Sequence, residues 1–476
     1  MLSKIIKHGG SYFVVSVFTK ATGFILLPII TRYLSIEEYG LYSNLHSLTN
    51  ILYIFATMGI DIAYSRLIYD YNSSDKRLKL LSSTTINTYF LWNVLFYPVA
   101  VVFLFFVIYS WGYYYVSIPI ILPFLVIYQQ LTSLNISLMK SEHNTKKLLS
   151  ITTISFILTQ AILVLLLMFT DLKIESFFYS QFVINSFVCI IHLRMISKRG
   201  LIKIGVVSKK TLLKQIKYGL AFLPTSATAW VFSLSDRYIL TYTVSIAATG
   251  KYAFLVQITM IIQIIMQSLD TAFSPIFMRI MKKRDTDSIR LIADYFTLMS
   301  FVILGIYLGL VLIVPFIIEK LFPLAYRGDY LLMSILSMGF VFLAWRKLFV
   351  SILVYHKKAS WISYTGYFPA VLNIVLNLIF IPKYGIYAAA YTTLLSFFIY
   401  GATVYCLSLK LEKVNFDYFL VLTYLSSSII FTYVGYIYNF QNLGLNILLL
   451  LCYFLFGFLS LKNKVKGLTR VKKNDW

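Results

Sequence analysis

The sequence predicts an all-α polytopic membrane protein with about fourteen transmembrane helices. The chain of 476 residues is 59% hydrophobic and only 13% charged, with a mean hydropathy of +0.79. Soluble proteins carry about 25% charged residues. Its apolar runs are about as long as the twenty residues that a helix needs to cross a bilayer. Lys and Arg are also concentrated in alternate connecting segments, as in multi-pass proteins.

Hydrophobic runs separated by charged or turn-rich segments define the candidate spans, numbered 1 to 14 in chain order. They lie near residues 11–31, 41–63, 84–109, 115–139, 148–170, 175–195, 217–240, 251–276, 291–318, 330–354, 360–381, 384–408, 416–438 and 443–461. No segment between them is long or polar enough for a soluble catalytic domain. We therefore expect a transporter and not an enzyme.

The net charge of +24 is explained by topology. With an even number of spans both termini lie on one side, and thirty Lys and Arg then fall in the segments on that side, against six on the other. The positive-inside rule places the basic side, and so both termini, in the cytoplasm. No nucleic-acid partner is needed to account for the charge, and the basic loops are expected to lie against anionic lipid headgroups.

Two stretches of the sequence repeat each other. "TRYLSIEEYGLY" (31–42) and "DRYILTYTVSIAATGKY" (236–252) both place Arg-Tyr-aliphatic at a helix end and Gly-x-Tyr at the start of the next helix. Arg32 corresponds to Arg237 and Gly40 to Gly250. In the following helices a constant offset of 209 relates Asn50, Asp61 and Ser65 to Thr259, Asp270 and Ser274.

This repeat predicts two pseudo-symmetric six-helix lobes in the same orientation, as in transporters that bind substrate at the repeat interface. The predicted domains are an N-terminal lobe (1–200, spans 1–6), a C-terminal lobe (201–412, spans 7–12), two additional helices (413–461) and a basic cytoplasmic tail (462–476).

Polar residues form stripes along several spans at helical spacing. The stripes in spans 2, 8 and 11 contain Ser43, Ser47, Asn50, Thr57, Asp61 and Ser65; Thr259, Gln263, Gln267, Asp270 and Ser274; and Thr365, Pro369, Asn373 and Asn377. Such faces must point at protein or water, because hydrocarbon offers no hydrogen-bond partners. Ser and Thr alone favour helix packing, whereas the stripes with Lys20, Asp61, Asp236, Arg237 and Asp270 favour a hydrated cavity.

Each charge also has a structural alternative. Arg32 and Arg237 lie at outer helix ends, where they could extend to headgroups, and Asp236 could neutralise Arg237 or fix the helix end. Asp61 could pair with Arg66, and Asp270 with Arg279. Arg346 could reach the membrane surface with Lys347 or enter a cavity. Lys20 lies about ten residues from either end of span 1, too far to reach a headgroup easily.

Three stretches resemble, in order, signature regions of the polysaccharide exporter branch of the multidrug/oligosaccharidyl-lipid/polysaccharide (MOP) superfamily, and in particular Wzx-type flippases. They are "SYFVVSVFTKATGFILLPIITRYLSIEEYGLYS", "PTSATAWVFSLSDRYILTYT" and "LNIVLNLIFIPKYGIYAAAYTTLLS". The pattern departs at "IYAAAY", where Tyr387-Ala388 stands in place of Gly-Ala.

The resemblance implies a cationic cavity between two lobes. It also implies alternating-access transfer of undecaprenyl-pyrophosphate-linked oligosaccharide to the outer leaflet of the bacterial inner membrane, for O-antigen or capsule synthesis. Lys20, Arg32, Arg237 and Arg346 would bind the pyrophosphate by charge-assisted hydrogen bonds. Asp61, Asp236 and Asp270 would couple or gate the transport. We expect no cofactor besides a coupling ion (H⁺ or Na⁺), and membrane lipid, a polymerase and chain-length proteins as partners.

Other functions remain open. A flippase for lipid II or another cell-wall precursor would need the same chemistry on a different sugar. A cation-coupled multidrug exporter would need an acidic cavity, whereas the charges expected to be buried in this chain include Lys20 and two arginines. A glycosyltransferase or O-antigen polymerase would need a catalytic acid or a long outer loop. Cys189, Cys406 and Cys452 lie in apolar runs with no CxxC pair, so we expect no metal site and no disulfide.

Overall fold

The computed structural model describes residues 22–70, 76–142, 145–283 and 286–474. Within these ranges the chain is helical and contains no strand. The helices, numbered here in chain order from α1 to α16, are Leu27–Tyr33, Ile36–Thr57, Ile60–Leu67, Lys76–Ser110, Ser117–Ser141, Thr145–Phe169, Glu175–Lys198, Lys209–Leu220, Leu223–Thr243, Ile246–Thr259, Ile261–Lys283, Thr286–Leu321, Tyr330–Tyr355, Ala359–Leu411, Tyr418–Ile437 and Leu443–Asn474. The predicted all-α fold of a multi-pass membrane protein is confirmed.

The count of fourteen spans is not confirmed. The described residues contain ten helices that are long and apolar enough to cross a membrane, or eleven if the bent pair Ile36–Thr57 and Ile60–Asp70 counts as one span. Predicted span 1 lies largely in residues 1–21, outside the described residues. Spans 11 and 12 are both contained in α14, where Gly385 has a non-helical backbone (φ 60°) that joins two helices.

Serine side chains cap the helices that begin in the two repeated stretches. At the start of α2, the backbone N–H of Ser35 donates to Glu38 (2.7 Å) and the N–H of Glu38 donates to Ser35 Oγ (3.1 Å). This reciprocal pair is a capping box. In the repeated segment, Ser245 Oγ accepts from the N–H of Ala248 (3.0 Å) at the start of α10. The two matching stretches therefore begin their helices in the same way.

By their contacts the described residues form two units. Unit 1 comprises Leu41–Leu234, and unit 2 comprises residues 22–40 and 235–474. The limits divide α2 at Gly40 and α9 at Leu234. The domain limits that the sequence suggests, near residues 200 and 412, stay a prediction.

In unit 1, α5 packs on α4 and α7, α6 packs on α7, and α8 lies against α3 and α4. The short helix α3 is central to the core, because its apolar face is fully enclosed. The buried residues around it are Ile60, Tyr64, Leu67, Ile68, Leu78, Leu81, Tyr89, Leu134, Leu138, Ile196 and Leu201.

In unit 2, α13 packs along α14, and α12 lies between α13 and the last two helices. Gly40 and Gly250, which correspond in the repeat, are in direct contact: a Cβ on Gly40 would lie 2.8 Å from the nitrogen of Gly250. The repeated Gly-x-Tyr motif thus marks a close crossing of helix starts. Tyr326 closes this region by donating from its hydroxyl to the carbonyl of Leu34 (3.0 Å), and burial raises the pKa of Tyr326.

The last two helices are part of unit 2. Tyr453 of α16 donates to the carbonyl of Phe301 in α12 (2.9 Å). Lys464 lies 2.9 Å from Asp294 and 3.2 Å from Asp417. Burial of the Lys464 amine opposes its charge, but the bonds with these two carboxylates outweigh burial and raise its pKa. The helix continues to Asn474, so the predicted basic tail is helical through that residue.

Candidate functional site

A break in a spanning helix organises the candidate site in unit 1. Met58 (φ 48°) and Gly59 (φ 70°) both have left-handed backbones, and they separate α2 from α3 at a bend of 61°. Gly59 also packs against Gly219, since a Cβ on Gly59 would lie 2.8 Å from the Cα of Gly219. A glycine is thus required by both backbone conformation and contact.

A cavity of about 460 Å³ lies beside this break. It is bordered by α2, by the start of α3 and by the first half of α9. Its described polar and aromatic lining residues are His46, Asn50, Tyr53, Thr57, Asp61, Ser226, Trp230 and Ser233. We call this the unit 1 cavity. Polar backbone and side chains at a broken spanning helix are tolerated where they line a cavity.

Asp61 is the charged group of the unit 1 cavity among its described lining residues. Its Oδ2 accepts a hydrogen bond from the Tyr53 hydroxyl (2.9 Å), which connects α3 to α2 across the break. Its Oδ1 has no hydrogen-bond partner among the described residues, although the atom is buried. The alternative pairing with Arg66 does not form, because Arg66 pairs with Asp70 (2.8 Å). Asp61 therefore has one buried carboxylate oxygen to which no described residue donates.

The structure divides the predicted polar stripe of span 2. Asn50, Thr57 and Asp61 line the unit 1 cavity, whereas Ser43 and Ser47 are buried in the protein interior. Sequence reasoning missed His46 and Trp230. Their signal was spacing: His46 lies four residues before Asn50, and Trp230 lies four after Ser226, so each shares a helix face with a polar residue.

The orientation of the Trp230 side chain is fixed by a neighbouring carbonyl. Its indole Nε1 donates to the carbonyl of Ser47 (3.3 Å). Behind the cavity, Gln130 donates to the carbonyl of Ala56 (2.8 Å), and its side-chain oxygen accepts from Asn93 (2.8 Å). The wall of the unit 1 cavity is therefore held by buried hydrogen bonds from α4, α5 and α9.

In unit 2, Asp236 and Arg237 are both buried, with 5% and 9% of their surfaces exposed. The Tyr252 hydroxyl donates to Asp236 Oδ2 (2.5 Å), and it is also hydrogen-bonded to Thr393. The Arg237 carbonyl accepts from Thr249 (3.3 Å). Asp236 thus links α9 to α10 and α14. The substrate-binding role of Arg237 stays a prediction.

The predicted stripe of span 11 also lies in a buried network. Asn377 donates to Asn373 Oδ1 (3.1 Å), and the Thr392 hydroxyl donates to Asn377 Oδ1. The three side chains are at most 5% exposed.

Arg346 lies at a separate cavity in unit 2, with a volume of about 340 Å³. Its guanidinium stands 4.2 Å from the centre of the Tyr400 ring. The other lining is mostly aromatic: Phe296, Phe342, Trp345, Phe349, Phe398, Tyr405, Phe416 and Tyr418. Neither Arg32 nor Arg237 is among its described lining residues, so the structure does not bring the described cations together here.

The remaining predicted residues are dispersed. Arg32 is exposed in the last turn of α1. Asp270 is half-buried, and Lys347, not Arg279, is the cation that interacts with it electrostatically. Lys20 lies outside the described residues. Within those residues no group of three or more His, Cys, Asp or Glu side chains is arranged to hold a metal ion.

Comparison with known proteins identifies a family. The sequence profile described as "Polysaccharide biosynthesis protein" matches residues 5–281, which is more than half of the chain. Among curated proteins, no sequence is significantly similar.

Solved structures share the fold. The structure is similar to that of the lipid II flippase MurJ in an inward closed conformation, with a TM-score of 0.63 and 16% identity over 92% of this chain and 99% of that one. It is also similar to an inward-facing multidrug resistance MATE family transporter of the MOP superfamily (TM-score 0.58, 9% identity, 83% and 97% covered). The Vibrio cholerae MATE transporter VcmN in its bent form gives a TM-score of 0.52 at 11% identity, with 88% and 98% covered.

Proposed function

The chain belongs to the polysaccharide biosynthesis protein family, and from this premise we propose that it is a flippase for undecaprenyl-pyrophosphate-linked oligosaccharide repeat units. It transfers them from the cytoplasmic to the outer leaflet of the bacterial inner membrane for O-antigen or capsule synthesis. The observation that carries the proposal is the unit 1 cavity, where aromatic rings, an amide, an imidazole and a carboxylate meet beside the break between α2 and α3.

These groups suit a saccharide. A pyranose ring has an apolar face that packs on an indole such as Trp230, and hydroxyls that need hydrogen-bond acceptors. Asp61 offers its unpartnered Oδ1. Asn50 has committed its Nδ2 to the carbonyl of His46 (2.9 Å), which leaves its side-chain oxygen as an acceptor. A drug-like apolar cation would need fewer polar partners than this cavity provides.

The pyrophosphate needs cations, and we assign it to Lys20, Arg32, Arg237 and Arg346, as the family resemblance implies. Charge-assisted hydrogen bonds to phosphate are strong where water is scarce. Asp61, Asp236 and Asp270 are the proposed coupling or gating carboxylates, with H⁺ or Na⁺ as the coupling ion. Both termini lie in the cytoplasm in this proposal, and a polymerase and chain-length proteins receive the product.

The test is transport of a fluorescent undecaprenyl-pyrophosphate-linked oligosaccharide by the full chain in proteoliposomes. Accessibility of the label to a membrane-impermeant reductant reports transfer between leaflets. We expect transfer with the native chain and a loss of about tenfold with Trp230→Ala, equivalent to about 1.4 kcal/mol. Trp92→Ala is the matched control, since Trp92 is a half-buried tryptophan of unit 1 that stacks on Phe96 and does not line the cavity.

Two other substrates in the same vesicles separate the rival functions. Faster transfer of lipid II than of the lipid-linked repeat unit would assign the chain to cell-wall synthesis. Ion-driven uptake of a cationic dye, without transfer of either lipid, would assign it to drug export and refute the proposal.

A further inference from the structure

Residues 199–222, the part of unit 1 that connects α7 to α9, are hydrogen-bonded to side chains of α4. Ser83 of α4 donates to the carbonyl of Leu201 (2.9 Å) and accepts from the N–H of Lys203 (3.0 Å). Asn87, one turn further along α4, donates to the carbonyls of Lys203 (2.8 Å) and Val206 (3.0 Å). The connection between the two predicted repeats is therefore held in one place by side chains of a spanning helix.

The helix within this segment, α8, has one face on the protein. Gln215 is fully buried and donates to Thr85 Oγ1 (2.7 Å). Leu212 and Ile216 pack against the unit 1 core, and Gly219 contacts Gly59. Residues spaced three or four apart thus define the attached face, and the opposite face is exposed.

The exposed face of α8 and the exposed residues 203–207 that precede it combine lysines with apolar side chains. Together we call them the linker surface. Its lysines are Lys203, Lys209, Lys210, Lys214 and Lys217. Its apolar members, each at least 36% exposed, are Ile204, Val206, Val207, Leu213, Tyr218 and Leu220. Residues 199–222 contain no Asp or Glu, and none of the ion pairs in the described part of the chain involves these five lysines.

The linker surface adjoins the ends of two candidate membrane spans, α4 and α7. It follows directly after α7, a candidate span that ends at Lys198. Ser83 and Asn87 are in the second and third turns of α4, whose apolar part follows them. Lysine amines at the end of a span can reach the headgroups while exposed apolar side chains beside them enter the acyl region.

We propose that the linker surface binds the phosphates of anionic phospholipids in the adjacent leaflet. The amines provide charge complementarity to an anionic bilayer. Ile204, 92% exposed, and Leu213 enter the acyl region. Because the surface is fixed by Ser83, Asn87 and Gln215, its lysines are already positioned before lipid binds. Phosphatidylglycerol is the occupant to which the proposal commits.

Hydrogen exchange tests this proposal on the full chain in nanodiscs. We expect the amides of residues 203–220 to exchange about tenfold more slowly in phosphatidylcholine containing one-third phosphatidylglycerol than in phosphatidylcholine alone. Replacing Lys209, Lys210, Lys214 and Lys217 by Gln removes the difference, and replacing them by Arg keeps it. Lys410→Gln with Lys413→Gln, two exposed lysines elsewhere in the chain, is the matched control and keeps it too.

Exchange in α4 reports whether each variant is folded, independently of lipid. Equal exchange of residues 203–220 in the two lipids, or an unchanged difference in the Gln variant, overturns the proposal. If exchange of residues 203–220 is slow in neither lipid and slows only when an acidic protein is added, the linker surface binds a protein partner. This result also overturns the proposal.

Discussion

The two repeats place carboxylates at corresponding positions, Asp61 and Asp270, but in different surroundings. Asp61 follows a broken helix and accepts from Tyr53. Asp270 lies in the continuous helix α11, with Lys347 as its charged neighbour. At the constant offset of 209, Gly59 corresponds to Ser268 and Tyr53 to Ile262.

These two residue differences explain why the two carboxylates have different surroundings. Ser268 donates back to the carbonyl of Ile264 (2.9 Å), as a serine in an unbroken helix does, whereas Gly59 adopts a positive φ that ends one helix and begins another. Ile262 is buried and apolar, so Asp270 has no phenol at the position of Tyr53. A shared pattern has therefore given one carboxylate at a break beside a polar cavity and one in a regular helix.

The largest expected effect comes from Gly59→Val. A β-branched residue at φ 70° is strained, and its Cβ would overlap Gly219, so we expect a loss of about 3 kcal/mol or more. Thermal unfolding of the purified chain in detergent measures it. Ser268→Ala, at the corresponding position, should cost less than about 1 kcal/mol. Equal melting temperatures for the two variants would show that the break in α2–α3 has no structural importance.

The second comparison is Asp61→Asn against Asp270→Asn in the transport assay. Asn has nearly the same size as Asp and can still accept from Tyr53, so the change removes charge with little effect on packing. We expect about a tenfold loss of transport for Asp61→Asn, or about 1.4 kcal/mol, and a smaller loss of about threefold for Asp270→Asn. A larger loss at Asp270 would reverse the assignment of the two repeats.

The fold was largely predictable from the sequence because membrane spans depend on apolar length alone. The all-α membrane class is confirmed, and the resemblance to a polysaccharide biosynthesis family is confirmed by the family match. Solved structures of a lipid II flippase and a MATE transporter share the fold. The fourteen-span count is not confirmed, because predicted span 1 begins outside the described residues and α9, which contains most of predicted span 7, is not among the candidate spans. The junction at Gly385 agrees with the sequence, which separates predicted spans 11 and 12 at that place.

The candidate site was predictable only in part. Asp61, Asn50 and Thr57 were identified because polar residues on a spanning helix must face protein or water. Trp230 was missed since an aromatic residue on such a helix is compatible with lipid, packing and cavity alike, and only the neighbouring chain decides. The environment of Arg346 depends on Tyr400 and on helices distant in sequence, so its charge alone could not locate it.

Tyr53→Phe sharpens the role of the bond across the break. It removes the hydroxyl that donates to Asp61 and leaves the ring in place. A hydrogen bond to a charged group contributes about 1.5–3 kcal/mol, but the exposed cavity lets water replace part of it, so we expect about a fivefold loss of transport. Tyr109→Phe, at an exposed tyrosine of unit 1, is the control. Unchanged transport in Tyr53→Phe would show that transport does not need the Tyr53–Asp61 hydrogen bond. Any role of Asp61 would then lie in its contacts with a ligand.

Lys347→Gln has the smallest expected effect and completes the comparison in unit 2. Lys347 and Asp270 interact electrostatically, but both side chains are half-buried, and solvent weakens such pairs to less than about 1 kcal/mol. Transport should therefore fall by less than about twofold, and the difference between Lys347→Gln and the native chain should disappear at high salt. A loss as large as that of Asp61→Asn would mean that Asp270 works as a charged pair. The second repeat would then hold a coupling carboxylate as important as that of the first, and the two repeats would differ only in the partner of that carboxylate.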